Sequence, residues 1–230
     1  MLPDRDLLAK GLAALDLPPA GDLHDRLVRY IAEIELWNPA YGLVGASGDE
    51  LVVKHILDSL APLAAIRALL DGIAAGRGGR GAFGLPPPRL RLADLGTGAG
   101  LPGIPLALAL SDVDVSLVDR MGKRIRFLES QKAALGLANA TVVESEVERA
   151  QGSYDLVAFR AFRPFERRLF RHVFRLCEPD GAVVAYKGKE QKARSELPSI
   201  EGLFSEARVE PVTVPFLDEE RCLVIMRPTH

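Results

Sequence analysis

The chain has 230 residues, 48% of them apolar and 26% charged, with 29 basic residues against 31 acidic ones. That apolar content beside a net charge of only −2 excludes disorder as the dominant state, and a total of two cysteines, Cys177 and Cys222, excludes a disulfide scaffold. No apolar run approaches the ~18 residues that a membrane span needs.

At roughly 150 residues per domain, the length suits one domain with an appendage. The opening MLPDRDLLAK is acidic within six residues and does not read as a signal peptide, so a soluble cytoplasmic protein is expected. Residues 1–70 read as an N-terminal helical extension. Leu7, Leu8, Leu12 and Leu15 mark one helical face, and a second helix runs from Asp22 to Trp37, ended by Asn38-Pro39. A third spans Asp49 to Leu70 and is kinked or split at Pro62. Residues 71–89, with six glycines, three prolines and three arginines, have the composition of an insertion or linker.

From residue 90 onward short apolar runs alternate with amphipathic ones. The expected strands are 90–95, 113–118, 140–143, 155–159, 182–187, 207–214 and 221–226; the expected helices are 104–110, 123–135, 165–177 and 192–200. Such alternation predicts a doubly wound α/β sheet of seven strands over residues 90–230. The last two strands have only a short polar segment between them, which predicts one antiparallel strand beside an otherwise parallel sheet. That pattern fits the methyltransferase variant of the Rossmann-like fold better than the dehydrogenase variant.

The strongest local signal is the stretch Asp94 to Gly103, DLGTGAGLPG, where a buried strand runs into a glycine-rich turn and a helix opens at Pro102-Gly103 with free N–H groups. A dinucleotide fingerprint, G-x-G-x-x-G, would require glycine at 101, and Leu101 stands there. The spacing is instead G-x-G-x-G (Gly96, Gly98, Gly100, with Thr97 between the first two), led by Asp94. A carboxylate there suits a cationic amino-acid end, such as that of S-adenosylmethionine, and would repel a pyrophosphate. Asp119 closes the second strand, where an acid can take both ribose hydroxyls, although NAD proteins place an acid there too. Methyl transfer is an in-line displacement that asks mainly for positioning. The chain has no D/N-P-P-Y/F/W tetrapeptide for exocyclic amines, and both cysteines read as core residues. An acceptor that is nucleophilic when neutral, such as a ring nitrogen, fits best.

Charge is unevenly placed: residues 120–194 hold 16 basic and 9 acidic residues. Arg160, Arg163, Arg167, Arg168, Arg171 and Arg175 cluster on and before one helix, and Lys187, Lys189, Lys192 and Arg194 follow the fifth strand. Segments after strands four and five lie on the ligand-binding rim of a doubly wound sheet, where cations would meet phosphates. His24, His55, His172 and His230 are scattered, and no metal site is readable.

Several stretches together resemble the bacterial 16S rRNA guanine-N7 methyltransferase family, also called glucose-inhibited division protein B. They are Asp94–Pro105, VDRMGKRIRFL at 118–128, Arg160-Ala161-Phe162, Tyr186-Lys187-Gly188, Leu36-Trp37-Asn38…Tyr41 and Lys54-His55-Ile56-Leu57-Asp58-Ser59. The resemblance implies a class I methyltransferase fold, S-adenosylmethionine as donor (S-adenosylhomocysteine as product), and an acceptor guanine N7 in the 530-loop region of 16S rRNA or the small subunit. The protein is expected to be a monomer. Carried over, Gly96 and Leu101 contact the donor, Val147-Glu148 hold its adenine side, and Arg160 sits at the mouth of the site. Arg160, His55 and Lys187 are the positioning candidates, with Lys54, Arg124, Arg163, Arg167 and Lys189 as RNA contacts. The chain departs from the family's usual pattern at Gly42, Val44, Lys54 and Glu146. Two other readings remain: a methyltransferase of the same fold acting on another RNA, a protein or a small molecule, and a silent RNA-binding module that keeps the donor pocket.

Overall fold

A computed structural model describes residues 5–78, 88–160 and 164–229. Seven strands form one sheet: β1 (Arg91–Leu95), β2 (Asp114–Asp119), β3 (Ala140–Glu144), β4 (Tyr154–Arg160), β5 (Cys177–Lys187), β6 (Phe204–Pro211) and β7 (Cys222–Pro228). Their order is β3-β2-β1-β4-β5-β7-β6. All pairings are parallel except those of β7, which runs antiparallel to both β5 and β6. The strand order reverses between β1 and β4, so the ends of these two strands open a crevice at the carboxyl edge of the sheet.

The helices are α1 (Arg5–Ala14), α2 (Asp22–Tyr41), α3 (Gly48–Leu51), α4 (Asp58–Leu60), α5 (Leu63–Gly76), α6 (Gly103–Ala109), α7 (Gly122–Ala134), α8 (Arg167–Arg175) and α9 (Glu190–Glu196). A π-helical turn, Val52–Leu57, joins α3 to α4, and a 3-10 turn, Leu197–Ile200, follows α9. Because successive strand residues face opposite sides, β4 divides its burden between two cores. Leu156 and Ala158 join α1, α2, α5, α6 and α7 on one face, whereas Val157 and Phe159 join α8, α9 and Ile200 on the other. The N-terminal helices are therefore a layer on the sheet itself. Their leucines and isoleucines (Leu8, Leu12, Leu27, Ile31, Ile66) are fully buried in the same core as the strands.

Several boundaries differ from the sequence reading. Helix α2 continues through Asn38-Pro39 to Tyr41 and ends only where Gly42, in the left-handed region at φ 59°, donates to Asn38 O at 2.8 Å. Proline near a helix end removes one rung of the ladder, and the turn survives because Asn38 Oδ1 accepts from Leu43 N and Val44 N. This gives Gly42 a local reason to be glycine. The third helix does break at Pro62, and its second part, α5, runs six residues into the stretch read as linker. Residues 79–87 of that stretch, Arg163, Ala161, Phe162 and His230 lie outside the described residues. The sixth strand ends at Pro211 rather than Val214, leaving a ten-residue connection, 212–221, that reaches back to the N-terminal helices.

Candidate active site

The glycine loop is built around Asp94, which is fully buried on β1. Its Oδ2 accepts from Thr97 Oγ1 at 2.5 Å and from Gly103 N at 2.8 Å, while Oδ1 is buried with no hydrogen-bond partner. Burial pushes its pKa up to about 6, against the downward pull of the Thr97 and Gly103 hydrogen bonds. Gly96, Gly98 and Gly100 all have positive φ, at 69°, 61° and 92°. At Gly103 the demand is steric: a Cβ would lie 2.3 Å from Leu117 Cδ2 and 2.7 Å from Asp94 Oδ2. The N–H of Gly103 is taken by Asp94 and that of Ile104 by Gly100 O, so the free donors expected at the opening of α6 are already used. Tyr30, buried on α2, donates to Ala99 O at 2.6 Å and props the loop from behind.

Asp119 ends β2 beside this loop. Its Oδ1 accepts from Met121 N at 2.9 Å; its Oδ2 accepts from Gly98 N at 2.9 Å and from Arg124 at 3.2 Å. A cavity of about 410 Å³ opens over these groups. Gly96, Asp119, Val147, Glu148 and Arg160 line it, together with Arg120, Arg124, Ser145, Glu146 and Leu169.

Arg160, the last residue of β4, also lines a second cavity of about 540 Å³ between the ends of β4, β5 and β7 and the π-helical turn. Its guanidinium donates to Asp58 Oδ2 at 2.8 Å, to Lys54 O at 3.2 Å and to His55 Nδ1 at 3.0 Å. Nδ1 facing a guanidinium must be the unprotonated nitrogen. Burial, and next the Arg160 charge, hold the His55 pKa down to about 4. Asp58 bridges two guanidiniums, since its Oδ1 takes Arg221 Nε at 3.0 Å. Arg221 in turn meets Glu219, which also pairs with Lys54. Wide helical turns of this kind often bear functional residues; here the turn brings Lys54 and His55 to Arg160. On the opposite wall Lys187 Nζ lies 2.5 Å from Glu196 Oε2 and 4.0 Å from the centre of the Phe165 ring.

The structure thus sorts the residues expected from sequence. Gly96, Asp119, Val147, Glu148 and Arg160 stand together on the first cavity. Asp94, Thr97, Gly98, Gly100 and Leu101 lie in the loop behind it; Asp94, with no exposed surface, shapes the bend instead of meeting a ligand directly. Arg124 faces the first cavity and pairs with Asp119, away from the rim. Lys54, His55, Lys187 and Lys189 line the second cavity. Arg167 caps Glu201 O, and Arg175 caps Ala150 O. Asp58, Arg221, Glu196 and Tyr30 carry no role in the sequence reading. Asp58 stands three and four residues from His55 and Lys54, a helical spacing that signals a shared face. Arg221 had no local signal at all, being brought to Asp58 from 163 residues away.

Both cysteines are buried free thiols; burial raises both pKa values, that of Cys177 to about 12, which removes them as nucleophiles at neutral pH. Among the described residues no group of His, Cys, Asp and Glu could hold a metal ion, and no helix is long and apolar enough to cross a membrane.

Comparison with known proteins identifies the family and the fold. Residues 23–224 match the profile of a family described as rRNA small subunit methyltransferase G (GidB). The chain is 34% identical to ribosomal RNA small subunit methyltransferase G of Treponema denticola, over 96% of both chains. It is 36% identical to the protein of that name from Ralstonia nicotianae, over 98% of this chain and 96% of the other. Among solved structures, a SAM-dependent methyltransferase from Aquifex aeolicus matches with TM-score 0.53 at 16% identity, over 74% of this chain and 92% of the other. Magnesium protoporphyrin IX methyltransferase from Synechocystis with bound SAM matches with TM-score 0.51 at 17% identity, over 86% and 97%. These structural likenesses establish the class I methyltransferase fold.

Proposed function

The chain belongs to the rRNA small subunit methyltransferase G family, and on that premise we propose that it transfers a methyl group from S-adenosylmethionine to N7 of a guanine in 16S rRNA. The observation that carries this reading is the meeting of two cavities at Arg160, one floored by the glycine loop and Asp119, the other rimmed by lysines. The first suits the donor, and the second suits the base and its phosphates.

The residues of the first cavity fit that donor. Asp119 has its carboxylate held by Gly98 N and Arg124, ready to accept from ribose hydroxyls. Val147 and Glu148 would hold the adenine side. The uncompensated Oδ1 of Asp94 adds negative charge behind Gly96, where a cationic amino-acid end would lie, and Arg160 would face the carboxylate of that end. When bound, S-adenosylmethionine supplies an electrophilic methyl group, which the N7 lone pair takes as the carbon–sulfur bond breaks and the sulfur leaves as a neutral thioether. Guanine N7 carries its lone pair at neutral pH, so no side chain has to remove a proton. The work left to the protein is placement and exclusion of water. Arg160, clamped by His55 and Asp58, is the group positioned to orient both partners, while Lys54 and Lys189 at the rim would meet RNA phosphates.

The test is transfer of labelled methyl from S-adenosylmethionine to small subunits and to their stripped rRNA, with the modified nucleotide mapped. Label at a guanine N7 is expected. Label only on protein or on another RNA, or tight donor binding without transfer to any substrate, would overturn the reading.

A further inference from the structure

Glu196 closes α9 on the wall of the second cavity and is not needed for the placement of donor or phosphate. Its Oε2 is engaged, accepting from Lys187 Nζ at 2.5 Å and from Phe165 N at 3.3 Å. Its Oε1 takes no hydrogen bond from the described residues. Both partners are largely shielded, with side chains only 13% and 14% exposed for Glu196 and Lys187 respectively. A carboxylate so placed is fixed in orientation and poorly hydrated, and on the cavity wall it has one oxygen that no described residue engages. Lys187 carries three N–H donors and uses one on Glu196.

A purine base approaching Arg160 through N7 turns its Watson–Crick edge toward the far end of the cavity. Lys187 is in the right place to meet that edge. It follows Tyr186, which sits level with Arg160 across the β4–β5 pairing, one step further along the same rim. Guanine presents N1–H and N2–H₂ donors beside the O6 acceptor. A carboxylate takes the donors and an ammonium donates to O6. Adenine turns a lone pair at N1 toward the same carboxylate and is repelled.

We propose that Glu196 and Lys187 read the Watson–Crick edge of the acceptor base and restrict the second cavity to guanine. The inference rests on the reading of that cavity as the acceptor site. Such an edge is reachable only in an unpaired base turned out of its stack, so the substrate is an unstacked guanine in a loop or bulge.

The experiment compares methyl transfer to 16S rRNA carrying guanine or inosine at the mapped target nucleotide; inosine keeps N7, N1–H and O6 and lacks only the N2 amino group. For the natural chain, inosine is expected to lower kcat/KM about tenfold or more, the cost of one lost hydrogen bond to a charged acceptor. In Glu196→Gln the rate on guanine falls and the guanine-to-inosine ratio collapses toward one. Glu196→Asp keeps the charge with a shorter reach and should give an intermediate ratio. S-adenosylmethionine binding and the melting temperature are measured on each variant, so that a misfolded protein is recognised. A ratio unchanged by both substitutions would make the Lys187–Glu196 pair a structural tie and overturn the inference. Absence of transfer to guanine by the natural chain would instead overturn the acceptor reading itself.

Discussion

Asp94 shows how one buried carboxylate can hold a bend together. With its Oδ2 tied to Thr97 and Gly103, it stitches the end of β1 to the start of α6, and the absence of a Cβ at Gly103 is what lets the two approach. The remaining oxygen is buried without a partner, which explains a pKa near 6. The folded chain therefore favours protonated Asp94 more than the unfolded chain does. The stability that this lends is full below the ordinary carboxylate pKa of 3.8 and is lost as pH rises through about 6. Donor binding should run the other way, because a cationic ligand prefers the ionised form. Affinity for S-adenosylmethionine is expected to fall as pH drops through about 6, by at most about tenfold per pH unit. Calorimetry between pH 7.5 and 5 checks this, and a flat profile would remove Asp94 from donor binding.

At the scale of elements, the N-terminal helices help the strands to hold the site. Helix α2 is fastened to α7 by Arg26 bonding Leu135 O, and by Trp37 stacking edge-on against Phe127 at 5.6 Å. It reaches the glycine loop through Tyr30, whose hydroxyl donates to Ala99 O. Tyr30→Phe leaves that buried carbonyl unpaired without changing the packing, and should cost about 1–3 kcal/mol of stability. Denaturant unfolding measures the loss. A parallel weakening of S-adenosylmethionine binding would show that the helical layer sets the loop, and an unchanged affinity would show that it does not. The π-helical turn gives the second example. Amphipathic periodicity placed a helix over Lys54 and His55, yet the widened turn that carries both residues to Arg160 has no pattern of its own. It is set by what the helix packs against.

For the whole molecule, the basic segment of residues 120–194 is less available than its count of charges suggests. Arg124, Arg160, Lys187 and Arg194 are paired with acids, and Arg167 and Arg175 cap main-chain carbonyls. Arg168, Arg171, Lys189 and Lys192 have no acidic partner among the described residues. If these four meet phosphates, the logarithm of RNA affinity should fall against the logarithm of salt with a slope of about −3. Replacing Lys189 and Lys192 by Ala together should make the slope shallower by about 1 to 2. Filter binding across a salt series gives both values, and a slope near zero would move the RNA to another face.

The strand pattern, the antiparallel β7, the glycine bend and Asp119 were all legible from the amino-acid order, because each depends on residues close together along the chain. Periodicity of two, glycine where φ must be positive and an acid at a strand end are local demands. The partners of Arg160 were not legible as a cluster. Asp58 meets it from 102 residues before, Arg221 meets Asp58 from 163 residues after, and only the folding of the helical layer and the β6–β7 connection against the sheet brings the three charges together. The same holds for Glu196 and Lys187. Each alone is a charged residue in a polar stretch, and their pairing on a cavity wall comes from α9 folding back across the end of β5, where removal from water makes each charge need the other.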